Sequence, residues 1–137
     1  RVHRFALRTD SGGAGEYRGG LGITREYQVL DGEIKFTHRG ERHFCAAQGY
    51  QGGLEGGTAY SEIIRSSGQK EVIPSKIVTS LKENDRLIIE TAGGGGYGSP
   101  SQRSHERILA DVVDGKVSPE KASLVYKWMP DPDASCE

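Results

Sequence analysis

The stretch "ITREYQVLDGEIKFTHR", residues 23–39, sets two alternating runs on either side of an Asp-Gly pair. Ile23, Tyr27 and Val29 share one parity, with Arg25 interrupting, and Ile34 and Phe36 share a face beyond Gly32. Period-two alternation puts successive side chains on opposite faces of a strand, and Asp-Gly suits the left-handed geometry of a two-residue turn. The pattern predicts a β-hairpin. The same grammar returns in "SKIVTSLKENDRLIIET", residues 75–91, where Ile77, Thr79 and Leu81 alternate, "KEND" turns, and Leu87 and Ile89 alternate again. That predicts a second hairpin.

Between these runs lie glycine-dense stretches: "TDSGGAGEYRGGLG" (9–22), "GYQGGLEGGTAYSE" (49–62) and "TAGGGGYGSP" (91–100). The chain holds 20 glycines in 137 residues, and all but Gly115 precede residue 99, against about 7% in ordinary domains. After residue 100 the period changes. In "SHERILADVVDG" (104–115), Ile108, Leu109, Val112 and Val113 form a helical stripe, with Ser104 as N-cap and Gly115 as stop. In "VSPEKASLVYKW" (117–128), Ser118 caps, Pro119 takes N1, and Ala122, Val125 and Tyr126 form the apolar face. The expected architecture is mainly β with a small C-terminal α part, an α+β class of glycine-loop-rich hairpins followed by two short helices. Its expected divisions are a β domain over 1–100, a helical hairpin over 101–128 and a tail over 129–137.

Composition narrows the function. Charged residues make up 27% and the net charge is −1, which gives neither nucleic acid nor an anionic membrane a field to answer. No apolar run approaches the roughly 18 residues of a spanning helix. Two cysteines, Cys45 and Cys136, fit neither a disulfide framework nor a paired metal motif, and a cytoplasmic setting is the expectation. The chain begins at Arg1 rather than Met, as expected of a trimmed chain, a piece of a longer one or a split subunit.

Three constellations are candidates for chemistry. The glycine run Gly93, Gly94, Gly95 and Gly96 has the GxxxxG spacing of a phosphate loop through Gly98, but Ser99-Pro100 follows where that loop needs Lys. The alternative is a glycine-lined tight turn where backbones approach closely. In the second, Asp10, Ser11, Gly12, Gly13, Arg18, Gly19 and Gly20 combine turn-forming residues with one cation. Such a loop could hold a carboxylate or phosphate; alternatively, Asp10, Glu16 and Arg18 pair among themselves. The third is "THRGERHFC" (37–45). His43 and Cys45 share a strand face and are candidate metal ligands, with His38 on the other, but the spacing matches no compact zinc motif. The alternative is a core-facing Cys45 with exposed histidines.

The ordered blocks "DSGGAGEYRGGLGITREYQVL", "RGERHF", "PSKIVTSLKENDRLIIETAGGGGYGSP" and "DVVDGKVSPEKASLVY" resemble the C-terminal region of the hydantoinase B/oxoprolinase family over about residues 8–127. After "RGERH" this chain reads "FCAAQGYQGG", where family members tend to carry an aromatic residue and prolines. The resemblance implies a component of an ATP-dependent complex, with hydantoinase A-type and larger hydantoinase B-type subunits as partners. ATP and a divalent metal are then expected on those partners, with no cofactor bound by this chain. The reading it favours is the small subunit of a ketone carboxylase similar to acetophenone carboxylase. The alternatives are part of a hydantoinase or 5-oxoprolinase-type amidohydrolase, or a non-catalytic assembly module.

Overall fold

A computed structural model describes residues 1–129. Seven strands come first: β1 (Val2–Leu7), β2 (Ile23–Gln28), β3 (Glu33–Arg39), β4 (Tyr60–Ile64), β5 (Lys70–Val72), β6 (Lys76–Lys82) and β7 (Arg86–Glu90). A 3-10 turn at Pro100–Gln102 and two helices, α1 (His105–Val113) and α2 (Pro119–Tyr126), follow. The fold is mainly β with two short helices at its C-terminal end, as the sequence predicts. The strands form a five-stranded sheet ordered β1-β2-β7-β4-β5 and a two-stranded sheet of β3 and β6. From residue 130 onward the expected tail lies outside the described residues.

Both predicted hairpins are corrected by the pairing. β2 does not pair with β3, nor β6 with β7; instead β2 pairs antiparallel with β7, and β3 with β6. Residues 23–39 and 76–90 thus run together as one bent ribbon, from Thr24↔Glu90 through Gln28↔Arg86 and on from Glu33↔Lys82 to Arg39↔Lys76. At the bend Val29 N donates to Asp85 O (3.0 Å) and Asn84 N to Val29 O (2.9 Å). Residues 29–32 there face residues 83–85, so one strand carries an extra residue, the device by which a strand turns a corner between sheets. The local turn chemistry is real, since Gly32 (φ 68) and Asn84 (φ 66) are both left-handed. It serves a corner rather than a hairpin because the corner folds two apolar faces together. Ile63, Ile73 and Leu87 on one side meet Leu81 and Phe36 on the other, with Val29 at the bend. Only β4 and β5 form a hairpin among the described strands joined by short connections, closed by Arg65 N donating to Gln69 O at 2.8 Å.

The corner's polar groups are satisfied. Asp85, 3% exposed, accepts from Lys82 N (3.0 Å), Ser66 N (2.9 Å) and Arg65 Nη1 (3.0 Å). Burial pushes its carboxyl up, but these donors outweigh it and hold the pKa below the ordinary value.

The helices form where the periodicity places them. Ser118 Oγ accepts from Lys121 N at 3.1 Å, and Pro119 opens α2. Ser104 occupies the N-cap of α1 without a side-chain cap bond, while Gly115 turns the chain at φ 67. A second core gathers Ile108, Val117, Ala122, Tyr126 and Trp128 around Ala14. Leu109 and Val113, predicted to share the stripe, point outward.

Candidate functional site

The glycine stretches of the sequence converge on one another. The expectation of a tight turn at Gly93–Gly96 is corrected, since none of the four is left-handed and the positive φ falls at Gly98 (φ 72). They belong to an extended segment lodged between others, with a spacing of three. A Cβ on Gly93 or Gly96 would fall on the carbonyl oxygen of Ser11 or Ala14; one on Gly19 or Gly22, on that of Gly94 or Thr91. On Gly53 it would strike Gly96 O, and on Gly56 Gly93 O. A three-residue repeat is the signature of polyproline-II-like extended chains, which make no internal hydrogen bonds and must find partners in neighbours. Here they do: Gly13 N donates to Gly94 O (2.8 Å), Gly94 N to Gly20 O (2.8 Å), Gly57 N to Ser11 O (2.7 Å) and Leu54 N to Ala14 O (2.7 Å). Glycine is required by the spacing between chains.

This bundle leaves little for a phosphate. The amides of Gly93, Gly94, Gly96, Tyr97 and Gly98 already donate to Gly57, Gly20, Leu54, Tyr17 and Tyr50 carbonyls. The loop that resembles a phosphate cradle in sequence has spent these donors on its neighbours.

Asp10 and Ser11 also act on the backbone. Asp10, left-handed at φ 65, accepts from Ser118 N at 2.9 Å through its carboxylate, while Lys121 Nζ donates to its carbonyl (2.7 Å). Ser11 Oγ donates to Arg8 O (2.6 Å) and accepts from Gly22 N (2.8 Å). Arg18 pairs with neither Asp10 nor Glu16. It crosses to α1, where its Nε (3.0 Å) and Nη2 (3.2 Å) donate to Asp111, and its Nη1 donates to Gly19 O (2.7 Å). Arg103 Nη2 donates to the same Asp111 Oδ2 (2.7 Å) and its Nη1 to Glu16 O (2.9 Å). Asp111 is 5% exposed; burial opposes its charge, but the two guanidiniums prevail and its pKa lies below the ordinary carboxylate value. The sequence reading missed Asp111 and Arg103. The one signal present was a carboxylate three residues beyond Ile108, on the buried side of α1.

At one end of the bundle Tyr17, Tyr50 and Tyr97 lie side by side, with ring centroids 6.2 Å apart for Tyr17 and Tyr97 and 6.1 Å for Tyr50 and Tyr97. All three are at least half exposed, and Arg107 sits over Tyr17, 5.4 Å from its centroid. Aromatic and guanidinium groups presented together are typical of contact surfaces.

The histidine reading is reversed. Cys45 is exposed, whereas His38 is buried, its Nε2 3.5 Å from His43 Nε2 and 3.3 Å from Ser61 Oγ. Burial first, and His43 second, push the His38 pKa below its ordinary value. Among the described residues, no group of three or more His, Cys, Asp or Glu side chains is placed to hold a metal. Two imidazoles without a third ligand do not fit a metal centre, and no chemical step is derived through one.

No described helix is long and apolar enough to cross a membrane. Residues 1–100 match the model of the hydantoinase B/oxoprolinase family. The chain is 35% identical over 131 residues to the B-type component of a putative D-/L-hydantoinase from a Pseudomonas species, covering 92% of this chain and 22% of that protein. It is 34% identical over 129 residues to the caprolactamase beta subunit of Pseudomonas jessenii, covering 91% of this chain and 22% of the relative. The crystal structure of the ATP-dependent caprolactamase from that organism superposes with a TM-score of 0.79 at 32% identity, over 98% of this chain and 24% of that one. An acetone carboxylase, at 21% identity and a TM-score of 0.78 over 97% of this chain and 22% of that one, shares the fold. The chain therefore spans about a fifth of the length of these two curated relatives. The interlocked glycine segments and the bent ribbon lie within the matched residues, and the chain belongs to the hydantoinase B/oxoprolinase family.

Proposed function

We propose that this chain is one component of an ATP-dependent assembly that opens a cyclic amide, working beside a hydantoinase A-type subunit and a larger hydantoinase B-type subunit. The observation that carries this reading is the continuous similarity, across more than nine-tenths of the chain, to proteins named for caprolactam and hydantoin. ATP and a divalent metal are assigned to the partner subunits; in this chain the amides of Gly93, Gly94 and Gly96 already donate to neighbouring carbonyls. The chain's own contribution is the glycine bundle. It holds Tyr17, Tyr50 and Tyr97 on a rigid base, and the bundle loops at Asp10–Gly20 and Gly93–Gly96 border the substrate channel or a contact with another polypeptide.

A second reading, carboxylation of a ketone such as acetophenone, draws on the fold shared with acetone carboxylase. One reconstitution separates the two. The chain is combined with its A-type and B-type partners, and ATP consumption is followed with 5-oxoproline, hydantoin or caprolactam, and separately with bicarbonate and a ketone. Ring opening that requires both ATP and this chain supports the proposal. Turnover only with bicarbonate and ketone replaces it with the carboxylase reading, and equal turnover when the chain is omitted refutes both.

A further inference from the structure

The apolar face of the large sheet runs on past the strands that cover it. Phe5 pairs with Arg25, Leu7 with Ile23 and Val2 with Tyr27, which places all three on the face that carries Leu87 and Ile63. Ile63 and Leu87 are 0% and 5% exposed beneath the small sheet, whereas Val2, Phe5 and Leu7 are 58%, 69% and 55% exposed. Between covered and bare halves lies a groove of about 560 Å³ whose lining includes Val2, Tyr27, Leu30, Ile34, Phe36 and Leu81. β1 is also the terminal strand of its sheet, so its outer edge has no neighbouring strand among the described residues. The opposite face is polar, carrying the Arg8–Glu90 and Arg86–Glu26 ion pairs.

We infer that this face, built from Val2, Phe5, Leu7, Tyr27 and Ile34, is covered in the assembly by the remaining part of a hydantoinase B-type polypeptide. The contact is made by an apolar segment flanked by acidic residues. The inference rests on the function proposed above. Its occupant follows from two observations. In the caprolactamase structure the same fold accounts for 24% of one chain, so three-quarters of that polypeptide lies outside it and can supply a covering layer. Two cations stand on this side: Arg25, opposite Phe5, and Arg1, which lines the groove, and neither is in an ion pair among the described residues. A second copy of this chain would set those arginines against their own equivalents across a two-fold axis. An acidic-flanked partner would neutralise them.

The test uses the full chain co-expressed with the larger hydantoinase B-type polypeptide of its own source, read by co-elution in size-exclusion chromatography. Wild-type chain is expected to co-elute, and Phe5→Ser/Leu7→Ser to lose at least about tenfold in apparent affinity. The variant's far-ultraviolet circular dichroism and melting temperature should match wild type, because both side chains are already exposed. Ile34→Ser, on the far side of the groove, should weaken co-elution as well, while Val113→Ser on α1 should not. Co-elution of Phe5→Ser/Leu7→Ser at wild-type strength would overturn the surface and leave the proposed function intact. Failure of the wild-type chain to co-elute would overturn that function and this inference with it. A homodimer abolished by Phe5→Ser/Leu7→Ser would assign the face to a second copy instead.

Discussion

Gly96→Ala is the sharpest test of the interlocked bundle. Gly96 is buried, and the added methyl would fall on the carbonyl oxygen of Ala14, 2.6 Å from its carbon and 2.7 Å from Gly13 O. Neither chain has room to yield. Ala14, 1% exposed, packs in the core that includes Ile108 and Tyr126, and its carbonyl accepts from Leu54 N at 2.7 Å. Relief of the clash must break at least two of three backbone bonds: Leu54 N to Ala14 O, Gly96 N to Leu54 O (2.9 Å) and Tyr50 N to Gly96 O (2.9 Å). A buried backbone group left without a partner costs about 1–3 kcal/mol. The stiffer unfolded chain returns only about 0.4–1 kcal/mol. The expected net loss is roughly 3–5 kcal/mol, a fall in melting temperature of roughly 10–20 °C for a chain of this size. Gly20→Ala is the matched control: Gly20 is exposed, is not left-handed, and has nothing within 4 Å of the new methyl. It should be neutral or stabilising by about 0.4–1 kcal/mol. Calorimetric melts of the full chain decide the matter. A Gly96→Ala melting point within about 2 °C of wild type, or an equal fall for Gly20→Ala, would refute the close-packed bundle.

Other perturbations probe the remaining features. Asp111→Asn leaves Arg18 and Arg103 buried side by side without their shared carboxylate, so the urea midpoint should fall by the equivalent of about 3–5 kcal/mol. His38 resists protonation when folded, so the unfolded chain binds more protons below its ordinary pKa of about 6.5. Stability should therefore be complete above that pH and decline as pH drops from there towards the lowered folded value. His38→Gln should flatten this part of the pH profile in urea titrations. Cys45→Ser should leave both stability, within about 0.5 kcal/mol, and turnover of the reconstituted assembly unchanged, because the thiol is exposed and no chemistry is assigned to it.

The helices were legible because their signals are local. Ser118, Pro119 and the Ala122–Tyr126 stripe act within a few residues of one another, and the structure repeats them. The strands were legible too, but not their partners. Alternation and Asp-Gly report that a chain runs straight and then bends, and residues 23–39 do both. Whether the bend closes a hairpin or turns a corner depends on residues 76–90, about which the local pattern is silent. The glycines posed the same difficulty. Gly93–Gly96 advertise permissive torsions in sequence, yet Gly93, Gly95 and Gly96 are glycine because Ser11, Gln48 and Ala14 carbonyls occupy the space beside them. The three-residue spacing is written along each segment, at Gly19 and Gly22, Gly53 and Gly56, and Gly93 and Gly96, but which segments it sets against one another is not. Asp111 was hidden by a rule that usually holds, that a charged residue on an amphipathic helix faces water.

The bent ribbon and the glycine bundle share one consequence for how the chain is made. β2 waits for β7, and the segment around Ser11 for Gly57 and Gly93. On a ribosome, β1 can meet β2 and β4 can meet β5 early, but the central strand β7 and the glycine bundle stay incomplete until residues 86–98 have emerged. Long-range pairing of this kind folds slowly and exposes strand edges in the interval. Deleting or delaying the glycine run should therefore leave the segments around residues 11–20 and 50–57 without their backbone partners, in an aggregation-prone state.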